Sequence, residues 1–252
     1  MLRRVLGPFK EFGLLAGLLY VLNRLLRALS PRVGLLVYEL MVQPITSKPL
    51  LPANLTKNLR FEEIGRGHPD IKRMPAREDI KASRFDQGAR CLGAYRKDKL
   101  IGYIWFAFGC YEEDEVRCSY ELAQPAQSVF DFDLYVLPEH RMGIAFMAIW
   151  YGANEYLHRR GVRYTFSRLT RFNVASRRSH AHLGWRCVGQ VVFLQAWAVE
   201  LMLATMSPYV ALTWTSAQRT RLRLAPDVLA AAAAPARKVK AGADKPEPET
   251  RP

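Results

Sequence analysis

The sequence predicts a mixed α/β domain, a sheet flanked by helices, with an N-terminal helical extension. Three observations predict it. Leu2, Val5, Leu6, Phe9, Phe12, Leu15, Leu19, Leu22, Leu26 and Leu29 recur at the helical period. Between 59 and 205, strand-length apolar runs rich in β-branched and aromatic residues alternate with helical stripes. The chain has 252 residues, 50% of them hydrophobic, which is enough to bury a core. That apolar content excludes a wholly disordered chain, and no Gly or Pro period suggests a fibre.

Residues 1–30 read as one helix stopped by Ser30-Pro31. Arg3, Arg4, Lys10, Arg24 and Arg27 bracket an uncharged stretch from Phe12 to Asn23. Spanning a bilayer takes ~20 apolar residues, so this stretch is too short. Arg24 and Arg27 also precede the small residues Ala28–Ser30, where a signal peptide is normally uncharged. Two readings stand: an interfacial amphipathic helix making a peripheral membrane contact, or a helix packed on the domain.

The apolar run Val33–Val42 leads into a loop marked by Pro44, Pro49 and Pro52. A short strand is predicted at Leu59–Ile64, and a polar helix broken near Pro75 at Pro69–Arg84. Arg90–Tyr95 and Leu100–Phe108 form a strand pair around Arg96-Lys97-Asp98. Glu112–Glu115 is expected to be a solvated loop tip, and another strand precedes the alternating run Ser128–Leu137. Gly143–Arg160 is a helix with Phe146, Ile149, Trp150, Ala153 and Leu157 on one stripe and Gly161 as its stop. Val162–Ser167 is a strand, and Asn173–Leu183 a short helix ended by Gly184. Trp185–Trp197 and Ala198–Thr205 are strands or one bent ribbon. Cys187–Gln218 carries a single charge, Glu200, yet Pro208, Gln190, Gln195 and the β-branched residues favour buried strands over a membrane hairpin. The organisation is thus an extension at 1–32, a linker and strand segment at 33–58, the α/β domain at 59–205, an apolar and basic segment at 206–225, and a disordered tail at 226–252.

Four cysteines, at 91, 110, 118 and 187, make no CxxC pair, so neither a disulfide scaffold nor a zinc knuckle is expected. A reducing, cytoplasmic location follows, with membrane association if the first helix lies at an interface. The net charge is +14, and residues 141–186 hold nine Arg against one acid, Glu155. Such a stretch suits an anionic partner, of which a phosphate-bearing cofactor is one class.

The turn His140-Arg141-Met142-Gly143-Ile144-Ala145 links strand 130–137 to the next helix. Amides at a helix N-terminus attract phosphate oxygens. Downstream, Asn173, Ser176, His180, Gly184 and Trp185 stand at offsets 0, +3, +7, +11 and +12. Together with Val136-x-Pro138 and the preceding turn, this resembles the GCN5-related N-acetyltransferase (GNAT) superfamily, over roughly residues 59–205. That family's second motif is Asn-x-x-Ala/Ser, Tyr at +7 and Gly-Phe at +11 and +12; its first is Gln/Arg-x-x-Gly-x-Gly/Ala. Here the +7 tyrosine is His180, and the first motif position is His140 with Arg141 beside it.

The resemblance implies a GNAT-like sheet and acetyl-CoA as acyl donor. It implies a pantetheine arm along the strand at Leu134 and Val136, and a pyrophosphate on the amides of Arg141, Met142, Gly143, Ile144 and Ala145. Arg141, Arg171, Arg177 and Arg178 could neutralise phosphate. Asn173 is either a hydrogen-bond partner of the donor or a helix N-cap. His180 would protonate the departing thiolate, since an unperturbed histidine holds both proton states near neutrality, or else it packs the short helix. Asp131 and Asp133, two apart in a strand, are expected on one face, with Phe130, Phe132, Leu134 and Val136 on the other. Either carboxylate could be the base, or they bind a cationic amine or form salt bridges with the many arginines, and Glu121 is a third candidate base. No metal site is expected: His180 and His182 diverge by about 200° on a helix.

The expected activity is transfer of an acetyl group from acetyl-CoA to a primary amine on a small molecule or protein. The alternatives are a longer acyl chain from acyl-CoA or an acyl carrier protein, and a non-catalytic basic module at a membrane or nucleic acid. A nucleic-acid partner is not expected for the enzyme.

Overall fold

The computed structural model describes residues 9, 12–141, 143–215, 217–227 and 229. Met142, most of residues 1–11 and nearly all of the tail expected at 226–252 therefore lie outside the described residues. The helices are α1 (Leu14–Leu29), the single turn α2 (Ala53–Thr56), α3 (Glu78–Asp86), α4 (Ala145–His158) and α5 (Val174–Ala181). The strands are β1 (Val33–Pro44), β2 (Leu59–Glu63), β3 (Arg90–Arg96), β4 (Lys99–Ala107), β5 (Cys110–Glu112), β6 (Cys118–Leu122), β7 (Ser128–Val136), β8 (Tyr164–Thr170), β9 (Arg186–Ala196), β10 (Val199–Ala204), β11 (Val210–Thr213) and β12 (Thr220–Leu224).

Nine strands make one sheet in the order β11-β10-β9-β1-β8-β7-β4-β3-β2, and β12-β6-β5 make a second, smaller one. In the large sheet every described pair is antiparallel except β7 with β8. That parallel pair follows from the helix between the strands, since a crossover of this length returns the chain in the same direction. β1, set apart from the α/β domain in the sequence reading, lies inside this sheet between β9 and β8. Its burial from Val37 to Gln43 explains the apolar run, in which Glu39 is the one charge.

Both faces of the sheet's central strands are covered. On one, Tyr111, Cys118, Tyr120, Leu222 and Leu224 of the small sheet pack with Tyr38, Leu40, Trp105, Phe130, Phe132 and Phe166. On the other, Ala145, Ala148, Ile149, Trp150, Ala153 and Leu157 of α4 meet Leu92, Ile104, Phe106 and Val129. Most of the stripe read from the sequence thus becomes the buried face of α4, each large apolar side chain contributing about 1.5–3 kcal/mol by leaving water. The strands expected at Trp185–Trp197 and Ala198–Thr205 form as β9 and β10, the segment after 206 adds the strands β11 and β12, and Glu200 is buried.

The break expected near Pro75 separates a short 3-10 helix at Pro69–Arg73 from α3. Glu112–Glu115 is not a solvated tip throughout. Glu113 is buried and takes two bonds from Arg168, at 2.6 and 2.7 Å, and Asp114 takes two from Arg84. Arginines distant in the chain neutralise these acids, a pairing that local composition does not carry.

Candidate active site

β7 and β8 pair only at Ser128, Val129 and Phe130, opposite Tyr164, Thr165 and Phe166. Beyond Phe130 they carry no ladder pair, and a cavity of about 540 Å³ opens between them. Its walls are Asp131–Val136 of β7, Ser167–Leu169 of β8, Phe146 of α4, Arg141 of the turn, and Asn173, Ala175, Ser176, Ser179 and His180.

A bulge shapes the β7 wall. Against β4, the register steps from Tyr135 opposite Tyr103 to Phe132 opposite Trp105, so β7 carries one residue more, and Asp133 has φ +47°. The bulge resets the alternation. Phe130, Phe132 and Tyr135 join the aromatic core between the sheets, whereas Val129, Leu134 and Val136 join the core under α4. Asp131 and Asp133 therefore do not share a face, and Leu134 and Val136 lie on the side of Asp131. Strict period two predicted otherwise because it has no place for the extra residue.

Each carboxylate has its own environment. Asp131 is 3% exposed, the Thr165 hydroxyl donates to its Oδ2, and burial lifts its pKa to about 7. Asp133 accepts from Arg84 Nη1 at 2.5 Å, while Arg84 Nε and Nη2 donate to Asp114 at 2.9 and 2.7 Å. Burial raises the Asp133 pKa, and the Arg84 guanidinium opposes the rise. Asp133, Phe132 and Arg168 also border a second cavity of about 270 Å³, which Asp114, Glu115, Tyr111 and Arg84 help to line. The two cavities thus meet at the bulge. Glu121 pairs with Arg221 instead and lines neither.

His180 is 4% exposed, packed edge-on against Phe146 and Trp150 with ring centroids 5.4 and 5.6 Å away. Burial pulls its pKa down to about 4. The ring is therefore neutral near neutrality, which corrects the expectation of two accessible proton states. What it offers the cavity is a neutral imidazole.

Asn173 caps α5: its Oδ1 accepts from Ser176 N at 3.0 Å, and it also lines the cavity. Arg141 folds back along β7, its Nε 3.3 Å from Val136 O and its Nη2 3.3 Å from the Tyr135 hydroxyl. Gly143, with φ +154°, sits in the left-handed half of backbone space at the entry to α4, with open space where a Cβ would be. No side chain caps α4, so its first amides have no partner within the helix. Gly143, Ile144 and Ala145 border a separate recess of about 80 Å³, with Arg96 and His140. Two of the arginines assigned to phosphate have an acid beside them. Arg177 Nε lies 2.8 Å from Glu39 of β1 and Arg171 Nη1 3.8 Å from it. Arg178 is exposed.

The residues that sequence reasoning missed are Thr165, Arg84, Arg168 and Glu39. Each acts across a long stretch of chain, so no local spacing marks it. Part of the arginine excess of 141–186 pairs with buried acids, Arg168 with Glu113 and Arg177 with Glu39.

The model of the Acetyltransferase (GNAT) family matches residues 59–185. No curated protein matches the sequence. Among solved structures, the chain is similar to a functionally unknown conserved protein from Staphylococcus epidermidis, with 14% identity over 70% of this chain and 67% of that one at a TM-score of 0.47. A tandem GNAT protein from the clavulanic acid biosynthesis pathway has 16% identity over 66% of this chain and 54% of that one, at a TM-score of 0.44. A GNAT-family acetyltransferase structure from Novosphingobium aromaticivorans has 12% identity over 64% of each chain, at a TM-score of 0.41. The chain covers about half to two thirds of the length of these structures.

Proposed function

Because this chain belongs to the GNAT acetyltransferase family, we propose that it transfers an acetyl group from acetyl-CoA to a primary amine. The parting of β7 from β8 after three paired residues carries this reading, because it leaves strand edge facing a cavity long enough for an extended chain. The residues present fit the donor. Leu134 and Val136 offer backbone along the cavity, Arg141 a cation beside it, and Gly143 room for a phosphate to approach the start of α4. When bound, acetyl-CoA supplies the activated acyl group.

The side chains divide the proton work. Thr165 occupies Oδ2 of Asp131 and leaves Oδ1 to take a proton from the attacking amine. A pKa of about 7 suits a base at neutral pH, since such a group is half ionised and still accepts a proton readily. Asp133, bonded to Arg84, places a carboxyl group on the lining of both cavities, where it would favour a cationic amine. The neutral ring of His180 donates a hydrogen bond to the departing sulfur rather than carrying a charge. Arg171 and Arg177 act through Glu39 to fix α5 against β1, so phosphate recognition falls to Arg141 and the amides of 143–145.

The same reading includes a cytoplasmic location, supported by four cysteines that are all free, and a peripheral membrane contact through the N-terminal helix. Calorimetry with acetyl-CoA tests the donor site. Binding that weakens in Gly143→Glu and at raised salt supports it. A folded Gly143→Glu protein with unchanged affinity refutes the location.

A further inference from the structure

α1 packs against β1 with only part of its surface. Ala16 and Gly17 are buried, Asn23 Oδ1 accepts from Leu35 N at 2.9 Å, and Tyr20 meets Phe172 edge-on. Leu14, Leu15, Leu18, Leu22, Leu25 and Leu29 remain exposed, Leu29 at 84%. At ~100° per residue these six fall within an arc of about 100°, a single leucine stripe. The packed-helix reading thus describes one face of α1, and the opposite face carries the exposed leucines.

A second exposed apolar surface lies on the sheet. The cross-strand row Leu35–Leu194–Leu201–Leu212 and the row Val37–Val192–Leu203–Val210 run from β1 to the edge strand β11. Leu35 and Val37 are buried on the strand that carries α1, whereas Leu194, Leu203, Val210 and Leu212 are exposed. The lone charge of Cys187–Gln218, Glu200, points to the other face, where it accepts from Arg117 N and Gln195 Nε2. This outer face is thus uncharged. Trp197, Tyr209 and Trp214 stand exposed at its margins, at 68, 65 and 57%. Amphipathic aromatic rings at the rim of an apolar face are what a headgroup boundary selects.

We propose that the leucine stripe of α1 and the outer face of β9–β11 form one surface that docks on an anionic lipid membrane. Charge decides the occupant. Residues 12–38 hold Arg24, Arg27 and Arg32 and no acid, and Arg178 and Arg186 are exposed as well. Arginines on and just after the leucine helix complement phosphate headgroups, whereas a second copy of the chain would bring the same cations against them. No helix among the described residues is long and apolar enough to cross a membrane, so the contact lies in the interface plane. The surface extends the helix contact to the sheet edge and stands whether or not the acyl-transfer reading holds.

Sedimentation of the full chain with phosphatidylcholine vesicles, with and without phosphatidylglycerol, tests it. Binding is expected to the anionic vesicles and to fall at raised salt. Leu18→Glu with Leu25→Glu, and separately Leu203→Glu with Leu212→Glu, should each lower the partition coefficient ~tenfold or more, with an unchanged circular dichroism spectrum. These positions are exposed, so the variants fold. Brominated lipid should quench Trp197 and Trp214, an effect lost in the double Phe variant at those positions. Three results overturn the proposal: no binding to anionic vesicles; wild-type binding by the sheet-edge pair, which leaves the helix acting alone; or a stable dimer in light scattering that the substitutions split.

Discussion

Replacing Asp131 with asparagine should remove a pH dependence of stability that the fold builds into β7. The carboxyl titrates near 3.8 when unfolded and at about 7 when folded, because burial disfavours its charge. Between those values the folded protein holds a proton that the unfolded chain has released. Stability then falls as pH rises, by about 1.4 kcal/mol per unit, and levels off above the folded pKa. The full effect is about 4 kcal/mol, of which about 2 falls between pH 5 and 7. His180 contributes the opposite slope. Its pKa is lowered to about 4, so the stability it lends is present above 6.5 and lost as pH falls. The two offset each other across their shared window, which is why wild type alone is uninformative and the difference from Asp131→Asn isolates one group. Asparagine can still accept from Thr165 Oγ1 and carries no charge. Urea unfolding of both proteins at pH 5, 6, 7 and 8 should show the variant gaining on wild type by about 2.5 kcal/mol, most of it below pH 7. Parallel curves across that range would refute a buried, proton-holding Asp131. Under the proposed mechanism the same variant loses about 10²–10⁴ in turnover.

His180→Ala should cost about 2–4 kcal/mol by emptying the space against Phe146 and Trp150, and lower turnover with acetyl-CoA affinity retained. By NMR the wild-type ring should titrate with a midpoint near 4, and a midpoint near 6.5 would contradict its burial. Arg84→Met leaves the carboxylates of Asp114 and Asp133 facing each other without their cation, and should destabilise by about 3–5 kcal/mol in denaturant unfolding. Gly102→Ala places a Cβ against the Tyr135 carbonyl and Ile149, where β4 passes the bulge. It should cost about 1–3 kcal/mol and weaken acetyl-CoA binding, and an unchanged melting temperature would argue against so close an approach.

The sequence by itself determined the elements whose signal is local. The stripe of α4 was legible because 3.6-residue periodicity is a property of neighbours along the chain, and burial followed it at Ile149, Trp150, Ala153 and Leu157. The order and spacing from Val136 to Trp185 likewise identified the family, since a strand, turn and helix of this kind constrain residues only a few positions apart. The two carboxylates and the histidine were also named from sequence, and all three line the cavity. Tertiary structure alone decided what these groups can do. A one-residue bulge separated Asp131 from Asp133, and it arises from pairing with β4, not from anything within β7. Burial beneath neighbours from other elements moved the two pKa values past each other, so that the acid holds a proton near pH 6 and the histidine does not. Arg84, Arg168 and Glu39 found their partners across gaps of chain from which spacing carries no information, because ion pairing depends on distance in space.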